Sequence, residues 1–249
     1  MKPVKLSFAV ALVLAAMPLV SFAQDAEAPA EEEASSPLSF SVAVTSDYVW
    51  RGVSQTDNSP AFQPSVTYTA PVGVYVGLWA SNVDFGTGDP DWEVDGYVGY
   101  NVDFSDNVNF DVMYNMYTYT GASDLNFGEL ITKTTFFENY NVSLVYSNDA
   151  WASGESGLAY GLGGSWELPG GLGLEANVNR NDFSSAANEV LEVEDYTDYN
   201  VSLSKGFGPA TFALGYYSTD SKGKKQFFGP SGDEAADGRV VFTISIDAP

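Results

Sequence analysis

The sequence predicts an all-β protein, an antiparallel up-and-down transmembrane β-barrel of about twelve strands. Three observations support this prediction. From residue 38 onward, apolar and polar residues alternate with a period of two, as in strands whose two faces meet different surroundings. Short turns and long polar links alternate between these strands. The first 23 residues have the pattern of an export signal.

Residues 1–23 are predicted to be a secretory signal peptide that is cleaved after Ala23. Two lysines precede an apolar run over Leu6–Val20, and small residues stand around the cleavage position. An uncleaved membrane anchor is the alternative, and the shortness of the run argues against it. Residues 24–37 are rich in Ala, Glu and Pro and are predicted to be an acidic spacer. The barrel domain is then residues 38–249.

Twelve segments carry the strand alternation. In the clearest one, Leu158, Tyr160 and Leu162 share one face, while the residues between them are small or polar. The predicted strands cover residues 38–52, 61–70, 73–83, 91–103, 107–119, 127–137, 140–149, 157–168, 171–182, 196–206, 210–219 and 238–247.

The connections between the predicted strands alternate in length. Tight turn signals stand at Pro71-Val72-Gly73, Ser105-Asp106, Glu138-Asn139, Pro169-Gly170 and Gly208-Pro209. Because long polar links follow every odd-numbered strand, all of them lie at one end, and the short turns lie at the other end with both termini. An even number of strands of about ten residues with this alternation is typical of outer-membrane barrels, which have no free sheet edge.

A soluble secreted β-sandwich is the alternative, because it also gives each strand one apolar face. It accounts less well for the strand lengths, the alternating links and the aromatic residues near strand ends. Those aromatics are predicted to form girdles at the membrane surfaces. They are Tyr48, Trp50, Phe62, Tyr100, Tyr140, Trp166, Tyr199 and Tyr216.

If the apolar faces meet lipid, the opposite faces form a polar, hydrated lumen, because a packed core would not accept so many charges. The charged residues predicted to line this pore are Asp47, Arg51, Glu93, Asp95, Asp111, Glu129, Lys133, Glu167, Glu175, Asp198 and Arg239. Acids outnumber bases, which predicts a weak preference for cations. Arg51 is expected to pair with an acid across the barrel, which would narrow or gate the passage. A purely structural ion pair is the alternative.

The composition excludes several other functions. The 249 residues include 33 acidic and 10 basic ones, giving a net charge of −23, and there is neither Cys nor His. These absences rule out thiol chemistry, Ser-His-Asp hydrolysis and ordinary zinc sites. The negative charge argues against nucleic acid as a partner. No enzymatic activity and no cofactor are expected, and a Ca²⁺ site in the acidic link Asp84–Asp91 is a weaker alternative because EF-hand spacing is absent.

Several stretches of the chain are distinctive. They are Ser46–Thr56 (SDYVWRGVSQT), Phe62–Val66, Tyr75–Val83, Val94–Tyr100 and Asp237–Ser245. Together they resemble the TorF family of proteobacterial outer-membrane proteins of porin type, which has no assigned substrate. One departure is the final Asp247-Ala248-Pro249, where such barrels often carry an aromatic residue that assists assembly.

The sequence therefore predicts a porin of the bacterial outer membrane, through which small hydrophilic solutes diffuse passively. Its expected partners are outer-membrane lipid, the barrel assembly machinery and those solutes. A closed barrel that serves as a structural or binding surface protein is the alternative, since the pattern does not decide whether the lumen is open or plugged. Solute identity and oligomeric state are not readable from the sequence.

Overall fold

A computed structural model of the chain describes residues 36–86 and 90–249. Twelve of its strands form a closed antiparallel barrel in which each strand pairs with its neighbours along the chain. The barrel closes because the first strand pairs both with the last strand and with the second strand of the wall. The predicted fold is confirmed, and the sandwich alternative is wrong. The predicted signal peptide, and all of the predicted spacer but its last two residues, lie outside the described residues.

The strands of the barrel wall run in chain order around it. They are β1 (Leu38–Thr45), β4 (Ala61–Thr69), β5 (Val74–Asn82), β6 (Trp92–Ser105), β7 (Val108–Tyr119), β8 (Phe127–Phe136), β9 (Tyr140–Ser147), β10 (Gly157–Leu168), β11 (Leu172–Phe183), β12 (Tyr196–Phe207), β13 (Ala210–Thr219) and β14 (Arg239–Ala248). Two short strands outside the wall, β2 (Val49–Trp50) and β3 (Val53–Ser54), pair with each other.

The first predicted strand, 38–52, is wrong over its second half. The wall strand β1 ends at Thr45, and the chain then turns inward to form a hairpin from β2 and β3. The alternation continues through this segment because the hairpin also has two faces. The apolar face of this hairpin is buried inside the barrel and does not cross the membrane.

The connections sort to two ends as predicted. Two to four residues join strands at the turn end, for example between β6 and β7, whereas the six long links lie at the loop end. Two of these links contain short helices, α1 (Ser185–Leu191) and α2 (Ser221–Gln226), which the sequence did not predict. Side chains of Ser184 and Asp220 cap them. Neither these helices nor any other helix of the described residues has the length and apolarity needed to cross a membrane.

Large apolar side chains cover the outside of the barrel. Leu162 is 62% exposed, and Val98, Leu144 and Phe242 are also exposed on the outer face. Of the predicted girdle, Phe62, Tyr100, Tyr140, Tyr199 and Tyr216 lie on this outer surface. Tyr48 and Trp50 do not, because the hairpin carries them into the barrel, where they are only 3% and 9% exposed.

Candidate functional site

A hairpin from the first long link crosses the lumen near the loop end. This lumen hairpin, Val49–Ser54, turns at Arg51 and Gly52, which both have left-handed backbone angles (φ 48° and 78°), as a two-residue turn between strands requires. A Cβ on Gly52 would lie only 2.6 Å from Thr219 Cγ2 on β13. The Tyr196 hydroxyl on β12 donates to the Arg51 carbonyl at 3.2 Å. The tip therefore rests against the wall formed by β12 and β13.

The Arg51 side chain reaches a different part of the wall. Its Nη2 donates to both carboxylate oxygens of Glu129 on β8, each at 2.8 Å. The Tyr117 hydroxyl also donates to Glu129, at 3.0 Å, and the guanidinium lies 4.4 Å from the centre of the Trp50 ring. β1, where the hairpin originates, and β8 stand five positions apart in a ring of twelve. This ion pair therefore spans the passage, as a constriction would.

A second ion pair anchors the base of the hairpin. Arg239, the first residue of β14, donates to Asp47 Oδ2 at 2.8 Å. The hydroxyls of Ser54 and Thr56 donate to the other oxygen of Asp47, at 2.6 Å and 3.0 Å. Arg239 also donates to the Glu234 carbonyl in the last link. The hairpin is thus held at both ends by charged groups that were predicted to line the pore.

Four other predicted acids are paired with neutral donors instead of cations. Glu93 accepts from Tyr48, and Asp95 accepts from Asn115 at 2.9 Å. In the lower part of the lumen Asp111 accepts from Tyr75 and Asn101, and across the barrel Asp198 accepts from Asn179 and Asn181. All four carboxylates are buried. These tyrosine and asparagine donors satisfy the carboxyl oxygens without adding a positive charge to the lumen.

The remaining predicted pore residues lie further from the hairpin. Lys133 on β8 and Glu175 on β11 are both buried and face the same part of the lumen, where their charges interact. Glu167 is exposed at the rim, one residue before the end of β10 at the turn end. Of the eleven predicted residues, the structure brings Arg51 and Glu129 together, and likewise Asp47 and Arg239.

Aromatic and apolar side chains fill one side of the lumen, a feature that the sequence analysis missed. Tyr75, Trp79, Tyr97, Met113 and Ile131 point inward from β5 to β8 and are at most 4% exposed. They pack with Trp50 of the hairpin and with Tyr48, which immediately precedes the hairpin. The signal was present in the sequence, since these residues occupy the polar face of their strands in the period-two pattern.

The opposite side of the lumen stays open and polar. A cavity of about 160 Å³ lies beside the hairpin and Glu129. Amides and hydroxyls line it from the other strands, including Asn141, Ser143, Asn177, Asn200 and Thr243. Inward residues of β10 are small there, such as Ala159, Gly161 and Gly163. The cavity is therefore bounded by the Arg51–Glu129 ion pair, by amides and hydroxyls, and by the carboxylates of Asp47 and Asp198.

A second, larger cavity lies above the hairpin, among the long links. This vestibule has a volume of about 550 Å³, and every one of the six links, or the strand end beside it, contributes to its lining. Its lining is rich in aromatic residues, namely Trp50, Phe85, Tyr119, Phe127, Trp151, Phe227 and Phe228. Within the described part of the chain, no group of three or more acidic side chains converges in a way that could hold a metal.

Charged groups join the last two links and brace the last one. Lys222 on α2 forms an ion pair with Glu194 in the preceding link, at 3.0 Å. Lys224 on α2 donates to Asp237 at 2.8 Å, which raises the pKa of Lys224 and lowers the pKa of Asp237. Burial works to raise the pKa of Asp220, but hydrogen bonds from the backbone N–H groups of Gly223, Thr197 and Lys222 outweigh it and hold that pKa below its usual value. The loop end is therefore a connected structure, not a set of independent loops.

Gly52 provides a test of the hairpin's position. We expect Gly52→Ala to lower the free energy of unfolding by about 2–4 kcal/mol, because the added methyl group meets Thr219 and the left-handed backbone disfavours a Cβ. Gly154 has nearly the same backbone angle (φ 76°) with open space around it. Gly154→Ala should therefore cost only about 1 kcal/mol. Equal losses in equilibrium refolding would show that the hairpin tip does not touch β13.

Comparison with known proteins identifies a family for this chain and finds solved structures with a similar fold. A family model described as "Bacterial protein of unknown function (Gcw_chp)" matches residues 30–247. Among solved structures, the chain is similar to the KdgM porin, with a TM-score of 0.53 and 7% identity over 85% of this chain and 98% of that chain. It is also similar to the NanC porin, with a TM-score of 0.54 and 10% identity over 84% and 98%.

A third similar structure is described as "KdgM porin in complex with disordered oligogalacturonate", with a TM-score of 0.51 and 7% identity over 85% of this chain and 98% of that one. Identities this low demonstrate a shared barrel fold alone. No curated protein matches the sequence. The matching family is Gcw_chp, so the TorF name stays a prediction.

Proposed function

Because this chain belongs to the Gcw_chp family of bacterial proteins of unknown function, we propose its function from its own geometry. It is an outer-membrane porin through which small hydrophilic solutes diffuse passively, with a weak preference for cations. The proposal rests on the distribution of side chains over the two faces of the barrel wall. Large apolar side chains such as Leu162 and Leu144 face outward, while Glu93, Asp95 and Asp198 face inward. Lipid outside and a polar, hydrogen-bonding interior are the surroundings that stabilise this arrangement.

The similarity to solved structures that are named as porins supports a barrel fold of the porin type. The charges of this lumen favour a different solute from a polyanion such as oligogalacturonate. Seven carboxylates are buried in the barrel, against Arg51, Lys133 and Arg239 as the cations. Low-dielectric walls focus this excess of negative charge, which attracts cations and repels anions. The expected membrane partners are lipid and the barrel assembly machinery.

A closed barrel that acts as a structural or binding surface protein is the second candidate. The lumen hairpin favours it, because the hairpin and the packed side of the barrel leave a cavity of only about 160 Å³ at the constriction. Neither candidate requires covalent chemistry or a cofactor.

Planar-bilayer recording separates the two candidates. We expect refolded protein to insert and give discrete conductance steps in KCl, because a cavity with polar lining lies beside the hairpin. Protein that has been heat-denatured before addition is the control for leakage. Well-folded protein that inserts into vesicles but never conducts would overturn the porin proposal and favour the closed barrel.

A further inference from the structure

The vestibule is a preformed cavity, held open by hydrogen bonds between different links. The Ser54 amide donates to the Ala235 carbonyl at 2.8 Å, which joins the first link to the last. The Asp84 amide donates to the Gln55 carbonyl at 2.9 Å, which joins the first link to the second. Preformed cavities of 300–1,000 Å³ are typical of small-molecule sites, and the vestibule, at about 550 Å³, lies within this range.

One wall of the vestibule is held in a strained conformation. Trp151 has left-handed backbone angles (φ 54°, ψ 37°), which are unfavourable for a residue with a bulky side chain. Its ring is clamped by Phe183, Phe227 and Trp50, with centroid distances of 4.9, 5.7 and 5.6 Å. Such strain persists only where the surroundings enforce it, and it is concentrated at functional sites. The links therefore hold an aromatic surface in a fixed position.

The charge of the vestibule has one sign. Asp57 and Asp84 are the charged side chains in its described lining, and no basic residue stands among the lining residues. The ion pairs of the described residues include neither of these acids. Arg51 lies on the other side of the Trp50 ring and lines the lower cavity, where Glu129 neutralises it. A ligand in the vestibule therefore meets aromatic faces and carboxylates.

We propose that the vestibule binds organic cations, meaning ammonium or guanidinium groups that carry an apolar body. The aromatic faces attract a cation through their quadrupoles and cover its apolar body, while the two carboxylates supply charge complementarity. An anion would meet repulsion, and an uncharged ligand would gain only the apolar contacts. This site goes beyond the proposed channel function, because binding above the hairpin does not require that the barrel conducts.

The test compares two probes of the same shape. Acetylcholine and its uncharged carbon isostere, in which carbon replaces the ammonium nitrogen, are titrated into detergent-refolded protein while tryptophan fluorescence is recorded. Trp50 and Trp151 report from the vestibule. We expect saturable binding of acetylcholine and binding of the isostere that is at least about fivefold weaker. Circular dichroism confirms that the refolded protein, and each of the variants described in the next paragraph, has folded.

Paired variants locate the site. Asp57→Asn with Asp84→Asn removes both charges with almost no change in side-chain size, so it should abolish the preference for the cation. The amide at position 57 keeps one oxygen that can accept from Ser231, in place of the two that do so in the native protein. Asp103→Asn with Asp106→Asn makes the same change in charge on exposed residues at the turn end, and it should leave the preference intact. Equal binding of the two probes, no binding of either, or a preference that survives the first double variant would each overturn the proposal. Because detergent binding needs no current, a failure of conductance and a failure of this site are distinguishable.

Discussion

Replacing Arg51 with Ala should raise the single-channel conductance by about twofold or more, because the guanidinium that spans the passage to Glu129 is removed. The change also leaves the Glu129 carboxylate, which is 2% exposed, without its cation. We therefore expect the free energy of unfolding to fall by about 1–3 kcal/mol. Conductance in planar bilayers and equilibrium refolding measure the two effects separately.

Glu129→Gln in the Arg51→Ala background is the matched control. It removes the unpaired charge while an amide oxygen can still accept from Tyr117, so part of the lost stability should return. The larger conductance should remain, since the passage stays clear of the guanidinium. An unchanged conductance in both variants would mean that the passage is limited elsewhere, and the assignment of the ion pair as the constriction would then be wrong.

The second large effect concerns the outer face. Leu162→Arg should lower the free energy of unfolding in lipid by about 2–4 kcal/mol, because it places a charge against hydrocarbon near the middle of the barrel wall. Asn200→Arg is the control, because Asn200 lies at the same depth in the barrel wall. Asn200 pairs with Asn177 across β12 and β11, and Asn177 pairs with Gly163, the residue next to Leu162 on β10. Asn200 lines the lower cavity, so Arg there should cost at most about 1 kcal/mol. Equal costs on both faces would contradict a lipid-facing exterior.

The barrel itself could be predicted from the sequence because each wall strand obeys a purely local rule. Period-two alternation assigns Leu162 to one face and Gly161 to the other without knowledge of any partner. Link lengths then determine the two ends. The same rule placed Glu129 and Lys133 inside the barrel although their strand is weakly patterned.

What the sequence did not show depends on contacts between distant segments. The alternation of residues 46–52 fits a strand equally well whether it crosses the membrane or turns into the lumen, and only packing against Trp79 and Tyr117 distinguishes the two. Tyr48 and Trp50 were therefore placed wrongly in the girdle. The vestibule was missed for the same reason, because residues such as Trp151 and Phe227 belong to different links and come together only in the folded protein.

The short helices were missed for a local reason. Each is fewer than two full turns long, so no apolar stripe develops, and the capping residues Ser184 and Asp220 are the main signals.

A water-filled channel with a negatively charged wall, as proposed, should pass K⁺ more readily than Cl⁻. The reversal potential of refolded protein is recorded in a planar bilayer across a KCl gradient. We predict a potential of the sign that shows K⁺ passing more readily than Cl⁻, with a preference that fades at high salt as the Debye length falls from about 10 Å at 0.1 M to about 3 Å at 1 M. A preference for Cl⁻, or folded protein that gives no current, would contradict the account.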